Sequence, residues 1–359
     1  MDHPLKDQPR KGRGAVSNRA GRFEAHSHQK IDDGWPGDDE PLPPLRTTLG
    51  VDTARRVITR NNSPDIPFDR SINAYRGCEH GCVYCFARPT HAYYGLSPGL
   101  DFETRLFYKP DAAEILEEEL RAPGYVPDTI AMGTNTDPYQ PIEKEKKITR
   151  KILQVLRAHD HPVSIVTKSA LVVRDLDILG PMAKRDLAAV AVSVTTLDRR
   201  LARVMEPRAP TPAKRLATIR ALASAGVPTG VLAAPMIPAI NDMELERILE
   251  AAAEAGATRG GYVLLRLPLE IKDLFEEWLE AHFPDRAKHV MTLIRETRGG
   301  AAYRSGWGTR MTGTGAYADL LRQRLAIAKK RLGWRKSSVR LDPTRFQPPA
   351  RRGDQLSLL

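Results

Sequence analysis

The sequence predicts an α/β protein built on a parallel sheet, open or closed into a barrel, with a disordered N-terminal extension and a basic, helical C-terminal appendage. Three observations predict this fold. Six short apolar segments alternate with segments of helical periodicity. Polar residues of chemical interest follow the apolar segments directly, where the carboxyl ends of parallel strands would lie. Charged and proline-rich stretches occupy the two ends of the chain.

The N-terminal extension, residues 1–65, is expected to have little order. It begins basic, turns acidic over residues 32–40 and then runs through Pro41, Pro43 and Pro44. Blocks of charge with few apolar residues bury too little surface to offset the chain entropy lost on folding.

The barrel is expected over residues 66–295. Strands are predicted near 71–75, 129–132, 163–167, 187–194, 227–234 and 261–265, and helices near 111–121, 146–159, 174–184, 212–225, 241–255 and 272–282. The continuous apolar run 187–194 is typical of a strand covered on both faces. Alternation of this kind favours a parallel sheet with its functional residues at the carboxyl ends of the strands.

The C-terminal appendage, residues 296–345, does not continue the alternation. Glycine-rich stretches near 306–315 indicate loops, and residues 317–332 predict a basic amphipathic helix ended by Gly333. Residues 346–359 are rich in proline and arginine and are expected to form a flexible tail.

The net charge is +11, and residues 321–352 carry eleven basic side chains against a single acid, Asp342. This excess favours a polyanionic partner such as nucleic acid, with a solvated basic tail as the alternative. No secretory h-region or bilayer-spanning apolar run is visible, which predicts no membrane partner. Cysteines confined to one cluster suit a reducing compartment, so the sequence predicts a cytoplasmic protein.

The most specific motif is the array of Cys78, Cys82 and Cys85, since no other cysteine occurs in the 359 residues. Three thiolates can hold three irons of a [4Fe–4S] cluster and leave the fourth iron open to a small molecule. Tetrahedral zinc is the alternative, with His80 or His91 as its fourth ligand. Their close spacing on one glycine-containing loop, and the lack of a second cysteine pair, favour the iron–sulfur cluster.

This array, with Tyr84 directly before its last cysteine, is similar to that of the radical S-adenosylmethionine (SAM) superfamily. The resemblance covers about residues 66–270 and implies a partial (β/α)6 barrel of the TIM type with the cluster at its mouth. It also implies that SAM binds the open iron. One electron from a flavodoxin- or ferredoxin-type donor would then cleave SAM into methionine and a 5′-deoxyadenosyl radical. That radical would abstract a hydrogen atom from the substrate.

Within the superfamily the chain resembles the spore photoproduct lyase group and its uncharacterised relatives. The motifs that carry this resemblance lie at 73–78, 134–143, 167–169, 193–196, 206–208 and 233–238. It implies a SAM pocket lined by Tyr84, Thr134, Lys168, Ser193, Ala234 and Met236. By residue type Lys168 can pair with the SAM carboxylate. Asn135 and Arg208 are further candidates, with a turn and a structural Glu–Arg pair as their alternatives.

The chain departs from the lyase pattern at one point. Spore photoproduct lyases have a further cysteine that returns a hydrogen atom to the product radical, and this chain has none. This argues against thymine-dimer repair by that route. Tyr139 and Tyr93 are the residues whose type would allow them to donate a hydrogen atom instead.

The last five residues, Gln355–Leu359, resemble the motif by which bacterial replication and repair proteins bind the DNA sliding clamp. The alternative is an apolar terminus without a function. Taken with the basic C-terminal region and the lyase resemblance, the tail favours a lyase-like radical SAM enzyme acting on nucleic acid, in DNA repair or modification. Two alternatives stay open: a non-catalytic iron–sulfur redox sensor that binds nucleic acid, and a radical SAM enzyme acting on a protein or a small molecule.

Overall fold

The computed structural model describes residues 7–24, 44–334 and 339–350. Its strands are β1 (Thr48–Val51), β2 (Ile58–Arg60), β3 (Arg70–Ile72), β4 (Tyr75–Arg76), β5 (Arg105–Tyr108), β6 (Ile130–Met132), β7 (Val163–Thr167), β8 (Ala188–Ser193), β9 (Thr229–Met236) and β10 (Arg259–Leu264). Its helices are α1 (Asp101–Thr104), α2 (Ala112–Arg121), α3 (Glu143–Lys146), α4 (Ile148–Ala158), α5 (Leu176–Ala183), α6 (Arg199–Met205), α7 (Pro212–Ser224), α8 (Leu245–Glu254), α9 (Ile271–His282), α10 (Pro284–Glu296) and α11 (Ala316–Arg331).

The main sheet has seven strands in the order β10-β9-β8-β7-β6-β3-β2. The six strands from β3 to β10 in this order run parallel to their neighbours, and β2 pairs antiparallel with β3 at the edge. No ladder joins β2 to β10 within the described ranges, so the barrel is open. The prediction of a partial barrel with six parallel strands is confirmed.

The buried core explains why the sequences of the central strands are almost entirely apolar. In β7 and β8, Val163, Ile165, Val190 and Val192 are fully buried, because helices cover one face of the sheet and the barrel interior covers the other. Helix α4 adds its buried positions at helical spacing, while its charged residues face outward. Among the described residues no helix has both the length and the apolarity needed to cross a lipid bilayer.

Much of the N-terminal extension is part of the folded unit. Strand β2 adds an edge to the main sheet, and β1 pairs with β5 in a second sheet of order β1-β5-β4. Residues 13–17 are also buried against the barrel. The charge pattern predicts little order here. Residues 13–17 are ordered because backbone hydrogen bonds to the buried carboxylate of Glu103 take the place of the apolar contacts that this segment lacks.

Helix α11, the basic helix predicted in the C-terminal appendage, lies on the outer layer of the barrel. It packs against α8 and β10, with Leu321 and Ala328 buried in the main core. Arg324 pairs with Glu246 at 2.6 Å and bonds the carbonyl oxygen of Asp242 at 3.0 Å. Part of the basic charge of this helix is thus used to hold it on the barrel.

The segment 339–350, here called the C-terminal strap, crosses the amino-terminal end of the sheet. The Asp342 N–H donates to the carbonyl of Asp186, and the Gln347 N–H to the carbonyl of His159, each at 2.9 Å. The Phe346 ring packs edge-on against His161, with 5.3 Å between ring centroids. Residues 346–350 are therefore docked, although the tail is predicted to be flexible. The clamp-like motif Gln355–Leu359 lies outside the described residues.

His161 is expected to make the fold less stable in acid. Its ring is fully buried, its Nε2 lies 2.8 Å from the Tyr125 hydroxyl, and burial lowers its pKa to about 4. An unfolded histidine has a pKa of about 6.5, so the unfolded chain binds the proton first as the pH falls. The free energy of unfolding should drop by about 3 kcal/mol between about pH 7 and pH 4 through this residue alone.

Urea unfolding at several pH values tests this expectation. His161→Gln should flatten the acid dependence of the free energy of unfolding. His289→Gln, which changes an exposed histidine on α10, should not. An unaltered acid slope in His161→Gln would contradict the assignment.

Candidate functional site

The three cysteines lie on the loop between β4 and the 3-10 helix at Arg88–Tyr94. Successive backbone bonds coil this loop: Gly81 N–H to Cys78 O at 3.3 Å, Cys85 N–H to Cys82 O at 3.2 Å, and Arg88 N–H to Cys85 O at 3.1 Å. Cys78 and Cys82 are buried and Cys85 is half-buried. One tightly wound loop therefore presents all three thiols of the chain.

Two glycines allow the loop to coil so closely. Gly77 and Gly81 have φ of 72° and 68°, in the left-handed region that favours glycine. A Cβ on Gly81 would lie 2.7 Å from Oε2 of Glu103, and one on Gly77 would lie 2.7 Å from Cδ2 of Leu106. The backbone can thus take this path only where a side chain is absent.

The donor set fits an iron–sulfur cluster. Burial raises the pKa of the Cys78 and Cys82 thiols, so these groups need the positive charge of bound metal to become thiolates. No three His, Cys, Asp or Glu side chains in the described residues converge as one metal ion would require. A cluster differs from a single ion because each thiolate binds a separate iron.

The two histidines considered as a fourth zinc ligand each make one polar contact. The Nε2 of His91 lies 2.9 Å from the carbonyl oxygen of Arg105. The Nδ1 of His80 lies 3.5 Å from a carboxylate oxygen of Asp137, too far for a good hydrogen bond. The Nδ1 atoms of both rings are buried without a hydrogen-bond partner in the described residues. The close spacing of the three cysteines is therefore the observation that favours the cluster over zinc.

Glu206 organises the polar residues beside the cysteine loop. Its fully buried carboxylate accepts hydrogen bonds from the Tyr84 hydroxyl, the Thr195 hydroxyl at 2.7 Å and the Arg215 guanidinium. The ammonium of Lys168 lies 3.9 Å from the same carboxylate and 5.7 Å from the centroid of the Tyr84 ring. We call these five residues the Glu206 network.

The Glu206 network lies next to the thiols. Burial raises the pKa of the Cys82 thiol, while the charge of Lys168 lowers it and that of Glu206 raises it. Tyr84 lies between Cys82 and Cys85 in the chain, and the Val83 N–H donates to the carbonyl of Met205, the residue before Glu206, at 3.2 Å. The structure thus brings two of the predicted SAM-pocket residues, Tyr84 and Lys168, to the cysteine loop.

Asp137 links the ends of β6 and β7 to the cysteine loop. It accepts hydrogen bonds from the Thr167 hydroxyl at 2.7 Å, the Lys168 N–H at 2.8 Å and the Tyr139 N–H at 2.9 Å. Burial would raise the pKa of Asp137, but His80 and these donors outweigh it and lower the pKa to about 2. Asp137 is therefore a fixed negative charge that sets the position of the Lys168 backbone.

The other residues predicted to line the SAM pocket lie in or just after β6, β8 and β9. The Ser193 hydroxyl donates to the carbonyl of Ala234 at 3.1 Å, which ties β8 to β9. Ala234 is half-buried, whereas the Met236 side chain is fully buried in the main core. The half-buried Thr134 and Asn135 are held by Asn73: its Oδ1 accepts the Asn135 N–H at 3.1 Å, and its Nδ2 lies 3.4 Å from the Thr134 hydroxyl.

Arg208 forms an ion pair with the cysteine loop itself. Its guanidinium lies 2.7 Å from a carboxylate oxygen of Glu79, the residue after Cys78, and its N–H donates to the carbonyl of His80. The partner is Glu79 rather than the nearby Glu206. Arg208 therefore holds the loop in place, and its side chain is still 39% exposed.

Of the two tyrosines considered as hydrogen-atom donors, Tyr139 meets this site through its backbone, since its N–H bonds Asp137 at 2.9 Å. The Tyr139 ring is buried in the main core, with the Arg174 guanidinium 6.0 Å from its centroid. Tyr93 is 70% exposed and packs beside Phe23. In the described residues neither tyrosine shares a hydrogen bond with the Glu206 network.

Several residues of the site are not singled out by the sequence. Arg215 and Thr195 complete the Glu206 network, and Asn241 ties Thr195 to the β9 loop through a bond to its carbonyl at 2.7 Å. Arg88 and Glu103, both fully buried, form an ion pair behind the cysteines. One signal for Arg215 is present in the sequence: a charged residue at a core position of the α7 pattern needs a buried partner.

Comparisons with known proteins agree with this geometry. A family model described as the radical SAM superfamily matches residues 72–252, about half of the chain. An uncharacterised protein of Mycobacterium tuberculosis is 36% identical over 319 residues, which cover 83% of this chain and 90% of the relative. One of Methanocaldococcus jannaschii is 27% identical over 214 residues, or 60% of this chain and 76% of the relative.

Solved structures show the same fold. A mutant spore photoproduct lyase superposes with a TM-score of 0.55 at 17% identity, over 79% of this chain and 78% of that chain. Spore photoproduct lyase complexed with dinucleoside spore photoproduct gives a TM-score of 0.52 at 17% identity over the same shares. A further mutant of that lyase, solved with AdoMet and the dinucleoside, gives 0.51, also at 17% identity and with the same coverage.

Proposed function

The chain belongs to the radical SAM superfamily, and we propose that Cys78, Cys82 and Cys85 hold its [4Fe–4S] cluster beside a SAM pocket formed by the Glu206 network. Membership of the superfamily implies both cofactors. When bound, they supply an electron and a 5′-deoxyadenosyl radical that abstracts hydrogen from the substrate. The observation that carries the proposal is the coiled loop of three thiols with Lys168 and Tyr84 beside it.

Within the pocket, Lys168 is the proposed partner of the SAM carboxylate. Its ammonium lies 3.9 Å from Glu206, too far for a good hydrogen bond, so it can approach an arriving carboxylate. Glu206 positions Tyr84 through its hydroxyl. Thr134, Asn135, Ser193 and Ala234 at the strand ends are proposed to line the nucleoside. Met236 is proposed to support that wall from within the core.

Lys168→Ala is expected to weaken SAM binding by about 10- to 150-fold, because a hydrogen bond to a charged group contributes about 1.5–3 kcal/mol. Isothermal titration of the anaerobic holoprotein with SAM measures this change. Lys184→Ala, which removes an exposed lysine directly after α5, is the matched control and should leave the Kd unaltered. Equal affinities for the two variants would remove Lys168 from the SAM site.

For the substrate we propose DNA, with a lyase-like repair or modification reaction and a flavodoxin- or ferredoxin-type electron donor. Three observations support DNA: the fold shared with a lyase solved with a dinucleoside, the basic C-terminal region, and the clamp-like residues Gln355–Leu359.

The proposed binding of the sliding clamp is tested by deleting residues 355–359, which should abolish binding to a purified bacterial sliding clamp. Asp354→Ala, just outside the motif, should not.

Anaerobic reconstitution with iron and sulfide tests the enzymatic proposal. With SAM and dithionite, formation of 5′-deoxyadenosine supports the enzyme, whereas a reducible cluster that leaves SAM intact supports the redox sensor. Adding a deuterated DNA oligonucleotide should transfer the label into 5′-deoxyadenosine. Label arriving only from a protein or a small molecule would overturn DNA as the substrate.

A further inference from the structure

Two exposed aromatic rings, each covered by an arginine, lie at the mouth of the barrel. Phe86 is 47% exposed and Trp307 is 58% exposed. The guanidinium carbon of Arg266 lies 4.4 Å from the Phe86 centroid, and that of Arg310 lies 4.5 Å from the Trp307 centroid. We call these four residues the mouth platform. Exposed rings of this size with cationic partners mark an interaction surface.

The mouth platform is fixed to the barrel rather than carried on a loose loop. Arg298, 3% exposed, donates to four backbone carbonyls, two at the end of β10 and two in the loop that bears Trp307. These acceptors are Leu264 (3.1 Å), Leu265 (2.7 Å), Thr309 (3.1 Å) and Arg310 (2.8 Å). The Leu264 N–H also donates to the carbonyl of Met311 at 2.8 Å. The rings therefore keep their position relative to the strand ends.

The mouth platform borders the proposed cluster. Phe86 directly follows Cys85 in the chain, and Arg266 lies just beyond the end of β10. The contact between the Arg266 guanidinium and the Phe86 ring therefore places both groups directly beside the cysteine loop. A ligand on the rings would reach the mouth where the radical forms.

The charge of this surface suits a phosphate backbone. Arg310 is paired with Asp65 at 2.6 Å, but no ion pair in the described residues involves Arg266. Arg304 is exposed, and its guanidinium donates to the carbonyl of Gly299 at 2.8 Å. A partly buried guanidinium without a carboxylate is well suited to bind an anion such as phosphate.

We propose that the mouth platform stacks the unpaired bases of single-stranded DNA, or of a base turned out of a duplex, beside the reaction centre. This inference rests on the proposed function and defines the form of its substrate. Aromatic rings with arginines bind base faces with little dependence on sequence. Paired bases in a duplex hide those faces, and a base must leave the stack before its atoms can be reached.

Fluorescence anisotropy with a labelled oligonucleotide at fixed salt tests the proposal on the holoprotein. Trp307→Ala should weaken binding of single-stranded DNA by about 5- to 150-fold, the loss expected for one stacked base. Trp307→Tyr should keep most of the affinity, because the ring is retained. The matched control is Phe23→Ala, which removes another exposed ring covered by an arginine, Arg22 at 4.8 Å, and should leave the Kd unaltered.

Three results would overturn the platform: wild-type affinity in Trp307→Ala, an equal loss in Phe23→Ala, or tighter binding of RNA than of DNA of the same sequence. Its failure differs from failure of the proposed function. If SAM is cleaved but single-stranded DNA does not bind, the platform is wrong and the enzymatic proposal stands. If binding depends on Trp307 but no 5′-deoxyadenosine forms, the platform stands and the enzymatic proposal is wrong.

Discussion

Cys82→Ser will abolish reductive cleavage of SAM and lower the iron content of the reconstituted protein. The chain has no cysteine other than Cys78, Cys82 and Cys85, so no thiol can replace the lost ligand. A serine hydroxyl ionises far less readily than a thiol and binds iron more weakly. Iron and sulfide analysis, the visible absorption of the cluster and the yield of 5′-deoxyadenosine measure the effect.

The metal-free forms provide the control for this prediction. Without iron, Cys82→Ser and the wild-type protein should unfold at similar temperatures, since one buried atom has changed from sulfur to oxygen. A variant that keeps full iron and full turnover would show that Cys82 is not a cluster ligand. A metal-free variant that is already unfolded would shift the test to the half-buried Cys85.

Glu103→Ala is expected to destabilise the protein by about 3–5 kcal/mol, the cost of leaving one partner of a buried ion pair alone. Glu103 and Arg88 are both fully buried and paired. Glu103 also accepts the N–H groups of Gly14 at 2.9 Å and Ala15 at 2.8 Å, which would lose their acceptor. Urea unfolding of the metal-free protein measures the loss.

Two further variants test whether an unpaired buried charge causes the lower stability of Glu103→Ala. Glu117→Ala removes an exposed carboxylate paired with Arg121 at 3.1 Å on α2, and should cost less than about 0.5 kcal/mol. Replacing the pair together, Arg88→Met with Glu103→Leu, should recover part of the stability because no buried charge is left alone. A Glu103→Ala effect as small as that of Glu117→Ala would refute the role assigned to the pair.

Most of the fold can be predicted from the sequence where the hydrophobic periodicity of a segment matches the burial of its residues. The apolar run 187–194 corresponds to β8, and the helix predicted near 146–159 corresponds to α4. The second sheet is missed because β1, β4 and β5 have two to four residues each and alternate weakly. The docking of residues 13–17 is missed because it depends on hydrogen bonds to Glu103, which is 86 or more positions away in the chain.

The site is readable only in part. The cysteine spacing is local, so the chain itself shows which residues belong together. Lys168 is identifiable because it directly follows an apolar strand. Thr195 and Glu206 lie within motifs of the resemblance, but their hydrogen bonds are not predictable, since Glu206 joins groups from three elements and Arg215 reaches it from a helix. The mouth platform is also missed, because Phe86 and its partner Arg266 lie 180 positions apart in the chain, and the loop that carries Trp307 is joined to β10 only through the tertiary fold.

The contacts of residues 13–17 determine where this chain can be truncated for expression. The region matched by the family model begins at residue 72, yet Arg13 and its neighbours bond Glu103, which supports the cysteine loop. The smallest fragment that folds cooperatively is therefore larger than the region that the family model matches. A truncated protein starting near residue 70 would expose a pair of charges that water never reaches in the intact chain, and an insoluble product from it would carry no information about the iron centre.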